Sequence, residues 1–432
     1  MGLEQFKRYD DIICIDLKSF FATAECIALG LDPFKTDLVV ADASRGESSI
    51  VLATSPSLRA KGMPGRFRLF ELPKNLKVHI VKPRMAYYVH MSNKILKMYL
   101  EYFSSEDILV YSIDEVFIDV GGYLSLYDKS IYEMAQFLLS ELLSRFGMYA
   151  TCGIGDNMLL AKFALDIEAK HNDDFIATWR YEDLPNKLWP ITDLTDVWGI
   201  GRGMEKRLHD LGIESMYDLA HYDIYKLVKY LGIMGEELYL HANGIDISRV
   251  QDQEREHQRK GYNSNQTLFH NTPKNEVRQY LKDLIIGQCE RLRAEHKVAR
   301  VVSLYIGYGS VEDQPPFRMQ HKLAAPSFDI SVISEVLLGI YDNHVLDIPI
   351  RRLGISLTSI TEFEGVQLNL FAQGQDVTNT DLDFAYDTIN IKYGQDTVFK
   401  ASALGDESNY FKRRRLIGGH NAGDTGDENE SE

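Results

Sequence analysis

Three carboxylates in two short apolar segments are the residues best suited to chemistry. Asp16 ends the run IICID, and Asp114 and Glu115 lie side by side within ILVYSIDEVFIDV. Neither IICID nor YSIDEVFID contains a Lys or Arg to pair with these acids, and a buried unpaired charge is costly. A divalent metal is a natural partner, because Mg²⁺ binds a few carboxylates together with waters and substrate phosphates. The spacing alone leaves open that the acids are solvent-exposed turn residues and a strand end.

The elements that would position these acids follow an α+β pattern. IICID is typical of a buried strand, and residues 108–120 indicate two strands joined tightly at Asp114 and Glu115. Successive strand residues face opposite ways, so these two acids share a site only where a turn or bulge reorients one of them. YATCGIG indicates another strand, followed by the helix NMLLAKFALDIEAK. The order predicts a sheet with helices on one face.

Length and composition favour a multidomain cytoplasmic protein. The 432 residues predict about three domains. No apolar stretch approaches the ~18–20 residues that span a bilayer, so no membrane partner is expected. MGLEQFKRYDD contains no apolar h-region and no small-residue cleavage site, so we expect a cytoplasmic protein. None of the four cysteines forms a CxxC pair, which fits a reducing compartment.

The charge distribution is uneven. The net charge is −16, yet residues 45–84 carry nine Lys and Arg against only Glu47 and Glu71. Such a local field could hold a polyphosphate or a DNA backbone. A solvated basic face is the alternative explanation.

Three segments together resemble the motifs of Y-family, translesion DNA polymerases. They are DLKSFFATAE (16–25), YSIDEVFIDV (111–120) and CGIGDNMLLAKFA (152–164). The resemblance extends from about residue 10 to residue 403 and is nearest the UmuC-like branch, the catalytic subunit of polymerase V, in its Gram-positive and mobile-element variants. It implies a DNA-directed DNA polymerase for error-prone lesion bypass in DNA repair and the SOS response.

The fold implied is an α+β multidomain right-hand polymerase. Its parts would be a palm (1–22 and 86–188), small fingers (23–85), a helical thumb with a helix-hairpin-helix (189–247), a linker (248–261), an α+β little finger (262–360) and a C-terminal tail (361–432) ending in a disordered acidic stretch.

The resemblance also implies the catalytic residues. Asp16, Asp114 and Glu115 would hold two Mg²⁺ ions, with the Leu17 carbonyl completing the second site. Two such ions activate a primer hydroxyl and neutralise a leaving pyrophosphate. Many family members carry another acid where this chain has Lys18.

Nucleotide binding is assigned by the same resemblance to Ser19, Phe20, Phe21, Thr54, Ser55, Arg59 and Lys170. Phe21 matches the steric gate, a ring that excludes the 2′-hydroxyl of ribonucleotides; a core aromatic at the helix start is the alternative. Arg59 and Lys170 match phosphate-binding cations, Lys170 with an offset of one residue. Pro56 stands where many relatives have a Tyr that contacts the triphosphate.

Two further motifs predict macromolecular partners. DVWGIGRGMEKRLHDLGI (196–213) fits a helix-hairpin-helix in which Gly199, Ile200, Gly201 and Arg202 would contact a DNA phosphate. LGIMGEE (231–237) is a weaker match to half of the same motif.

QLNLF, containing Gln367, Leu368, Leu370 and Phe371, resembles the peptide with which bacterial polymerases bind the sliding clamp. A local helix staple is the alternative. The partners expected are primed template DNA, dNTP and the clamp, with a recombinase filament or accessory subunits as further candidates.

Two other classes of function compete with this interpretation. A nucleotide cyclase would use the same carboxylates on free nucleotides. A noncatalytic DNA- and clamp-binding accessory protein of the damage response would need only the downstream motifs.

Overall fold

The computed structural model describes residues 2–254, 261–309, 314–365, 376–405 and 408–424. The chain divides into a first unit, Met1–Glu256 with Asn421–Glu432, and a second unit, His257–His420. Among the described residues, no helix is both long and apolar enough to cross a membrane.

The strands of the first unit are β1 (Ile12–Leu17), β2 (Leu38–Ala41), β3 (Val51–Thr54), β4 (His79–Val81), β5 (Ile108–Val110), β6 (Glu115–Asp119), β7 (Ala150–Gly155) and β8 (Ile176–Trp179). Its helices are α1 (Phe20–Ala28), α2 (Pro56–Ala60), α3 (Met85–Tyr99), α4 (Ile131–Phe146), α5 (Met158–Phe163), α6 (Leu184–Lys187), α7 (Arg202–His209), α8 (Met216–His221), α9 (Ile224–Leu231) and α10 (Ile233–Ala242).

The central sheet of the first unit has the strand order β5-β6-β1-β7-β8. β1 is antiparallel to both β6 and β7, while β7 and β8 are parallel. Ile13 and Ile15 of β1 pack with α3 and α4, whereas Ile12 and Cys14 pack on the other face with α5. The prediction of helices on one face is therefore wrong. A continuous apolar run such as IICI buries both faces of its strand.

A second, smaller sheet of the first unit has the order β3-β2-β4. It packs Val39, Val51 and Leu58 into a separate cluster within the segment predicted as fingers. Helices α7 to α10 follow one another closely and share a core with the end of the central sheet, including Trp179, Leu208 and Leu227.

The predicted linker 248–261 is wrong for its first part. Residues Val250–Glu254 form a 3-10 helix. Val250 is buried among Ile12, Cys14 and Phe117. The Gln251 amide donates to Asp107 (2.8 Å) and Asp119 (3.0 Å). The buried valine and the bridging amide attach this polar segment to the first unit.

The second unit contains β9 (Gly261–Thr272), β10 (Lys297–Tyr308), β11 (Phe317–Ser327), β12 (Ile350–Glu362) and β13 (Leu416–Ile417), with helices α11 (Lys274–Ala294), α12 (Ile330–His344), α13 (Asp376–Tyr393) and α14 (Tyr410–Arg414). The short β14 (His420–Asn421) closes the described elements. The main sheet has the order β11-β10-β12-β9, and α11 and α12 supply much of its core.

The prediction of a C-terminal tail is wrong for residues 376–405 and 408–424. β12 runs to Glu362, and α13 and α14 belong to the second unit. The side chain of Arg293 on α11 is fully buried and pairs with Asp387 (2.6 Å) and Asp383 (3.3 Å) of α13. Tyr410 is also buried in the core of this unit. The predicted acidic end, from residue 425 onward, and residues 366–375 lie outside the described residues.

Candidate active site

The ends of β1 and β6 bring the three acids together. The strand register places Asp16 directly opposite Glu115, the first residue of β6. Asp114 belongs to the turn before β6, and its carbonyl accepts a hydrogen bond from the Leu17 N–H (2.9 Å). The Ser112 hydroxyl donates to the Asp114 carboxylate (2.6 Å) and fixes the turn. This turn is the feature that two adjacent acids need to approach one site.

Two lysines from the helical segment after β7 pair with two of the three acids, Glu115 and Asp16. The ammonium of Lys162 on α5 lies 2.8 Å from a Glu115 oxygen, and its side chain is only 8% exposed. Lys170 lies 2.8 Å from Asp16. Both lysines also pair with Asp166. The sequence analysis does not predict Lys162 as a site residue, although a lysine within the apolar run MLLAKFAL indicates a buried charge that needs an acidic partner.

The protonation of these groups follows from their burial and pairing. Burial raises the pKa of the Asp16 carboxyl, and Lys170 opposes that rise. Burial alone would lower the pKa of Lys162, but Glu115 and Asp166 help to hold it above its usual value. The ammonium groups therefore stay charged beside the acids.

The donor set suits a hard divalent cation, because carboxylate and carbonyl oxygens are the ligands that Mg²⁺ prefers. In the described part of the chain, no three acid, His or Cys side chains already form a metal cage. Glu115 and Asp16 are instead paired with Lys162 and Lys170. Asp16, Asp114, Glu115 and the Leu17 carbonyl are the residues that would hold a metal.

A π-helical turn carries Lys170 to the acids. α5 continues directly into a π-helix at Ala164–Ala169, and Lys170 follows it. A π-helical turn accommodates one more residue than an α-helical turn. The offset of Lys170 by one residue from the family motif is thus absorbed, and its ammonium reaches Asp16.

The structure distinguishes Phe21 from Phe20. The Phe21 ring stacks on Tyr88 of α3, with centroids 4.4 Å apart and planes 15° from parallel. Phe20 is only 3% exposed in the main core. The Phe20 side chain is therefore a core aromatic, and a nucleotide contact by this residue stays a prediction. Ser19 precedes α1 in a left-handed conformation (φ 50°), which turns the chain from β1 into the helix.

The predicted hydroxyl donors have structural roles instead. Ser55 is fully buried; its Oγ accepts hydrogen bonds from Leu38 N–H (3.0 Å) and Leu58 N–H (3.4 Å) and donates to the Thr36 carbonyl (2.8 Å). It caps α2. Thr54, 1% exposed, donates to the Pro64 carbonyl (3.1 Å). Their assignment to nucleotide binding is wrong, because their hydroxyls already serve a helix start and a loop.

Lys170 pairs with Asp16, and two further cations, Lys18 and Arg59, lie in its neighbourhood. Arg59 on α2 is exposed. The Lys18 ammonium lies 3.7 Å from the centroid of the Phe175 ring. Burial lowers the pKa of Lys18, and Arg59 and Lys170 lower it further, so these three positive groups lie near one another. Lys18 had been noted only as a departure from the family pattern.

The helix-hairpin-helix is present where the sequence predicts it. Gly199 has a left-handed φ of 92°, and Gly201 is the N-cap of α7, which begins at Arg202. Ile200 is 4% exposed and anchors the loop in the core of helices α7 to α10. Ile200 is therefore a packing residue, and the backbone on either side of it remains the candidate DNA contact.

The predicted clamp-binding residues Gln367, Leu368, Leu370 and Phe371 lie outside the described residues.

Comparisons with known proteins cover most of the chain. Residues 15–166 match the impB/mucB/samB family, residues 259–370 match the C-terminal domain of that family, and residues 181–213 match its helix-hairpin-helix motif. UvrX of Bacillus subtilis strain 168, whose name connects it with UV-damage repair, is 34% identical over 417 residues, covering 96% of this chain and 98% of UvrX. DNA polymerase IV 2 of Halalkalibacterium halodurans is 30% identical over 411 residues, covering 95% and 98%.

Among solved structures, a Y-family DNA polymerase chimera of Dbh and Dpo4 has a similar fold. The TM-score is 0.63 at 22% identity, over 82% of this chain and 99% of the chimera. The α+β multidomain architecture predicted from the sequence agrees with this likeness.

Proposed function

Since the chain belongs to the impB/mucB/samB family of Y-family DNA polymerases and is a DNA polymerase, we propose how it acts. It extends primers by two-metal phosphoryl transfer during lesion bypass. One observation carries the proposal. The register of β1 and β6 and the turn before β6 gather Asp16, Asp114 and Glu115 at one strand edge, beside the Leu17 carbonyl. The UmuC-like branch and the cytoplasm as the site of action are part of the same proposal.

The residues of the site divide the work of the reaction. Two Mg²⁺ ions, when bound, would activate the primer 3′-hydroxyl and neutralise the leaving pyrophosphate. Arg59 and Lys170 bind the triphosphate oxygens through charge-assisted hydrogen bonds. Lys18 adds positive potential beside them. Phe21, supported from behind by Tyr88, excludes a 2′-hydroxyl from the sugar site.

Two alternatives explain fewer observations. A cyclase acting on free nucleotides would have no use for the helix-hairpin-helix at residues 181–213 or the family C-terminal domain at 259–370. A noncatalytic accessory protein would have no need to retain three acids with two lysines at one strand edge.

Removing single acids tests the reaction. Asp114→Ala and Glu115→Ala should each lower the rate of primer extension with Mg²⁺ by about a thousandfold, since metal-based stabilisation of the transition state contributes several kcal/mol. Asp119→Ala is the matched control, because Asp119 ends the same strand and accepts a hydrogen bond from Gln251. It should extend primers normally. Undiminished extension by Asp114→Ala would refute the catalytic assignment.

Lesion bypass and its regulation need a separate measurement. Extension of a primer across an abasic site should exceed that of a replicative polymerase. Clamp, recombinase filament and accessory subunits added in turn would reveal which of them the enzyme requires. Failure to pass the lesion under every combination would limit the enzyme to undamaged templates.

The sliding clamp is the proposed partner of QLNLF. Gln367 would make an orienting hydrogen bond, and Leu368, Leu370 and Phe371 would enter apolar pockets. Replacing Gln367 and Phe371 together by Ala should abolish binding in a clamp pull-down while distributive synthesis continues. Retained binding would show that the motif is not the contact.

A further inference from the structure

The last described residues of the chain contact the start of α3. The Ala422 carbonyl accepts a hydrogen bond from the Ala86 N–H (2.8 Å), and the Asn421 side-chain amide donates to the Pro83 carbonyl (3.0 Å). Asp424 lies 3.5 Å from Arg84, but it is 81% exposed, so this ion pair contributes little. Residues 421–424 are called the C-terminal cap segment below.

This contact supplies what the helix start lacks. The first N–H groups of a helix have no partner within it, and side chains at the N-cap usually satisfy one of them. The N-cap of α3 is Arg84, whose side chain makes no such bond. Arginine carries only donors and cannot serve as an acceptor. The Ala422 carbonyl takes that place at the second residue of the helix.

Gly423 is the residue that permits so close an approach. Its φ of +67° is strained for any residue with a side chain. A Cβ atom at this position would also lie 2.9 Å from the Cα, Cβ and Cγ atoms of Arg84. The segment therefore packs directly on Arg84 only because residue 423 is a glycine.

Arg84 connects the segment to a buried network. Its guanidinium donates two hydrogen bonds to Glu25 of α1, at 3.1 and 2.8 Å, and the Glu25 side chain is 2% exposed. The Tyr88 hydroxyl donates to the same carboxylate (2.8 Å). The Tyr88 ring is the one that stacks on Phe21. Glu25 and Phe21 lie one turn apart on α1, so the network and the stack both connect α1 to the start of α3.

We propose that the C-terminal cap segment is a positioning element of the nucleotide site. It completes the start of α3 and thereby holds Arg84 and Tyr88, which support the Phe21 ring. The consequence for sugar selection rests on the proposed function, since it requires Phe21 to lie beneath the incoming sugar. The capping of α3 does not depend on that function.

Two truncated proteins separate the segment from the residues beyond it. A chain ending at Asp424 keeps every contact described above, and a chain ending at His420 removes them all. Backbone amide exchange over residues 85–88 should be about five- to tenfold faster in the shorter chain, the effect of losing a helix cap. The shorter chain should also incorporate ribonucleotides more readily, by a few-fold. Equal exchange in the two chains would overturn the proposal.

A point substitution covers the case in which the shorter chain does not fold. Gly423→Val in the full chain introduces the clash with Arg84 and should produce the same two changes. If Gly423→Val exchanges and selects sugars as the unmodified protein does, the segment has no positioning role.

Phe21→Ala distinguishes this inference from the proposed function. Phe21→Ala should raise ribonucleotide incorporation far more than the truncation, while leaving the contacts of residues 421–424 in place. If it does not change sugar selection, the gate assignment fails while faster exchange in the shorter chain still supports the capping of α3. If it does change sugar selection but both truncations exchange alike, the gate stands and the cap segment is refuted.

Discussion

Lys162 affects both the stability of the first unit and the charge of its candidate active site. It contacts Glu115 and Asp166, and its side chain and that of Glu115 are 8% and 10% exposed. Removing one partner of a buried pair leaves the other charged and without compensation, which costs more than the pair itself contributes. Lys162 thus compensates the negative charge of Glu115 and Asp166 when no metal is bound. A bound cation would compensate part of the same charge.

Lys162→Met should therefore destabilise the protein most strongly without metal. In EDTA we expect the free energy of unfolding to fall by about 3 kcal/mol. Saturating Mg²⁺ should restore more stability to this variant than to the unmodified protein, because the ion no longer competes with the ammonium for Glu115. Urea unfolding with EDTA and with Mg²⁺ measures both effects.

The control is Lys187→Met, which removes a lysine paired with Glu168 at 2.9 Å, with both side chains about one-third exposed. It should cost less than about 1 kcal/mol and be insensitive to Mg²⁺. Equal losses for the two variants, unaffected by Mg²⁺, would contradict the role given to Lys162.

At the scale of single residues, the sequence predicts which secondary-structure element carries a charged side chain better than it predicts the partner of that side chain. An acid ending an apolar strand is visible in IICID, but its approach to Glu115 depends on the pairing of β1 with β6, which only the family resemblance implied. Lys162 comes from a helix 47 residues beyond Glu115, and only tertiary packing brings it there. Ser55 was misassigned because a hydroxyl before a helix serves equally well as a cap or as a ligand contact.

At the scale of secondary-structure elements, the π-helical turn shows that the sequence can predict a helix without predicting its local geometry. The helix after β7 is predictable from its apolar spacing. The one-residue offset of Lys170 from the family motif indicates an irregularity, but the spacing does not show that it is a widened turn at Ala164–Ala169. The widened turn accommodates one additional residue at the end of α5, and Lys170, directly after it, reaches Asp16. Removing or adding a residue there should consequently have unequal effects.

Deletion of Ile167 should be tolerated, because the turn would revert to α-helical geometry with Lys170 still beside Asp16. Insertion of one Ala after Glu168 adds a residue that the turn has no room for and rotates Lys170 by about 100°. The dNTP KM should then rise about tenfold, the effect expected from the loss of a charge-assisted contact. Single-nucleotide insertion kinetics measure it.

Lys170→Ala provides the reference. Adding the insertion to Lys170→Ala should raise KM no further, because both changes remove the same contact. If the deletion and the insertion raise KM equally, the π-helical turn does not accommodate an extra residue in the way described.

At the scale of the whole molecule, the second unit includes a stretch that the sequence suggested was a tail. Asp383 and Asp387 of α13 are the partners of Arg293, whose side chain is completely buried, and they lie 90 and 94 residues away from it in the chain. Asp283 of α11 likewise accepts hydrogen bonds from the Asn409 N–H and the Ser408 hydroxyl, both at 3.0 Å. Composition could not reveal this, because the polar residues of 376–415 resemble a solvated segment until their partners are known.

Asp387→Ala tests whether this stretch is an integral part of the second unit. Among the described residues, it leaves the buried guanidinium of Arg293 paired with Asp383 at 3.3 Å, so the free energy of unfolding should fall by about 3 kcal/mol. Asp342→Ala is a matched control on the same unit, because Asp342 also accepts hydrogen bonds from a guanidinium group, that of Arg278. The side chains of Asp342 and Arg278 are 44% and 39% exposed. That loss should stay below about 1 kcal/mol. Denaturant unfolding of the full chain gives both values. Similar small losses would mean that α13 rests on the second unit without stabilising it, as a tail would.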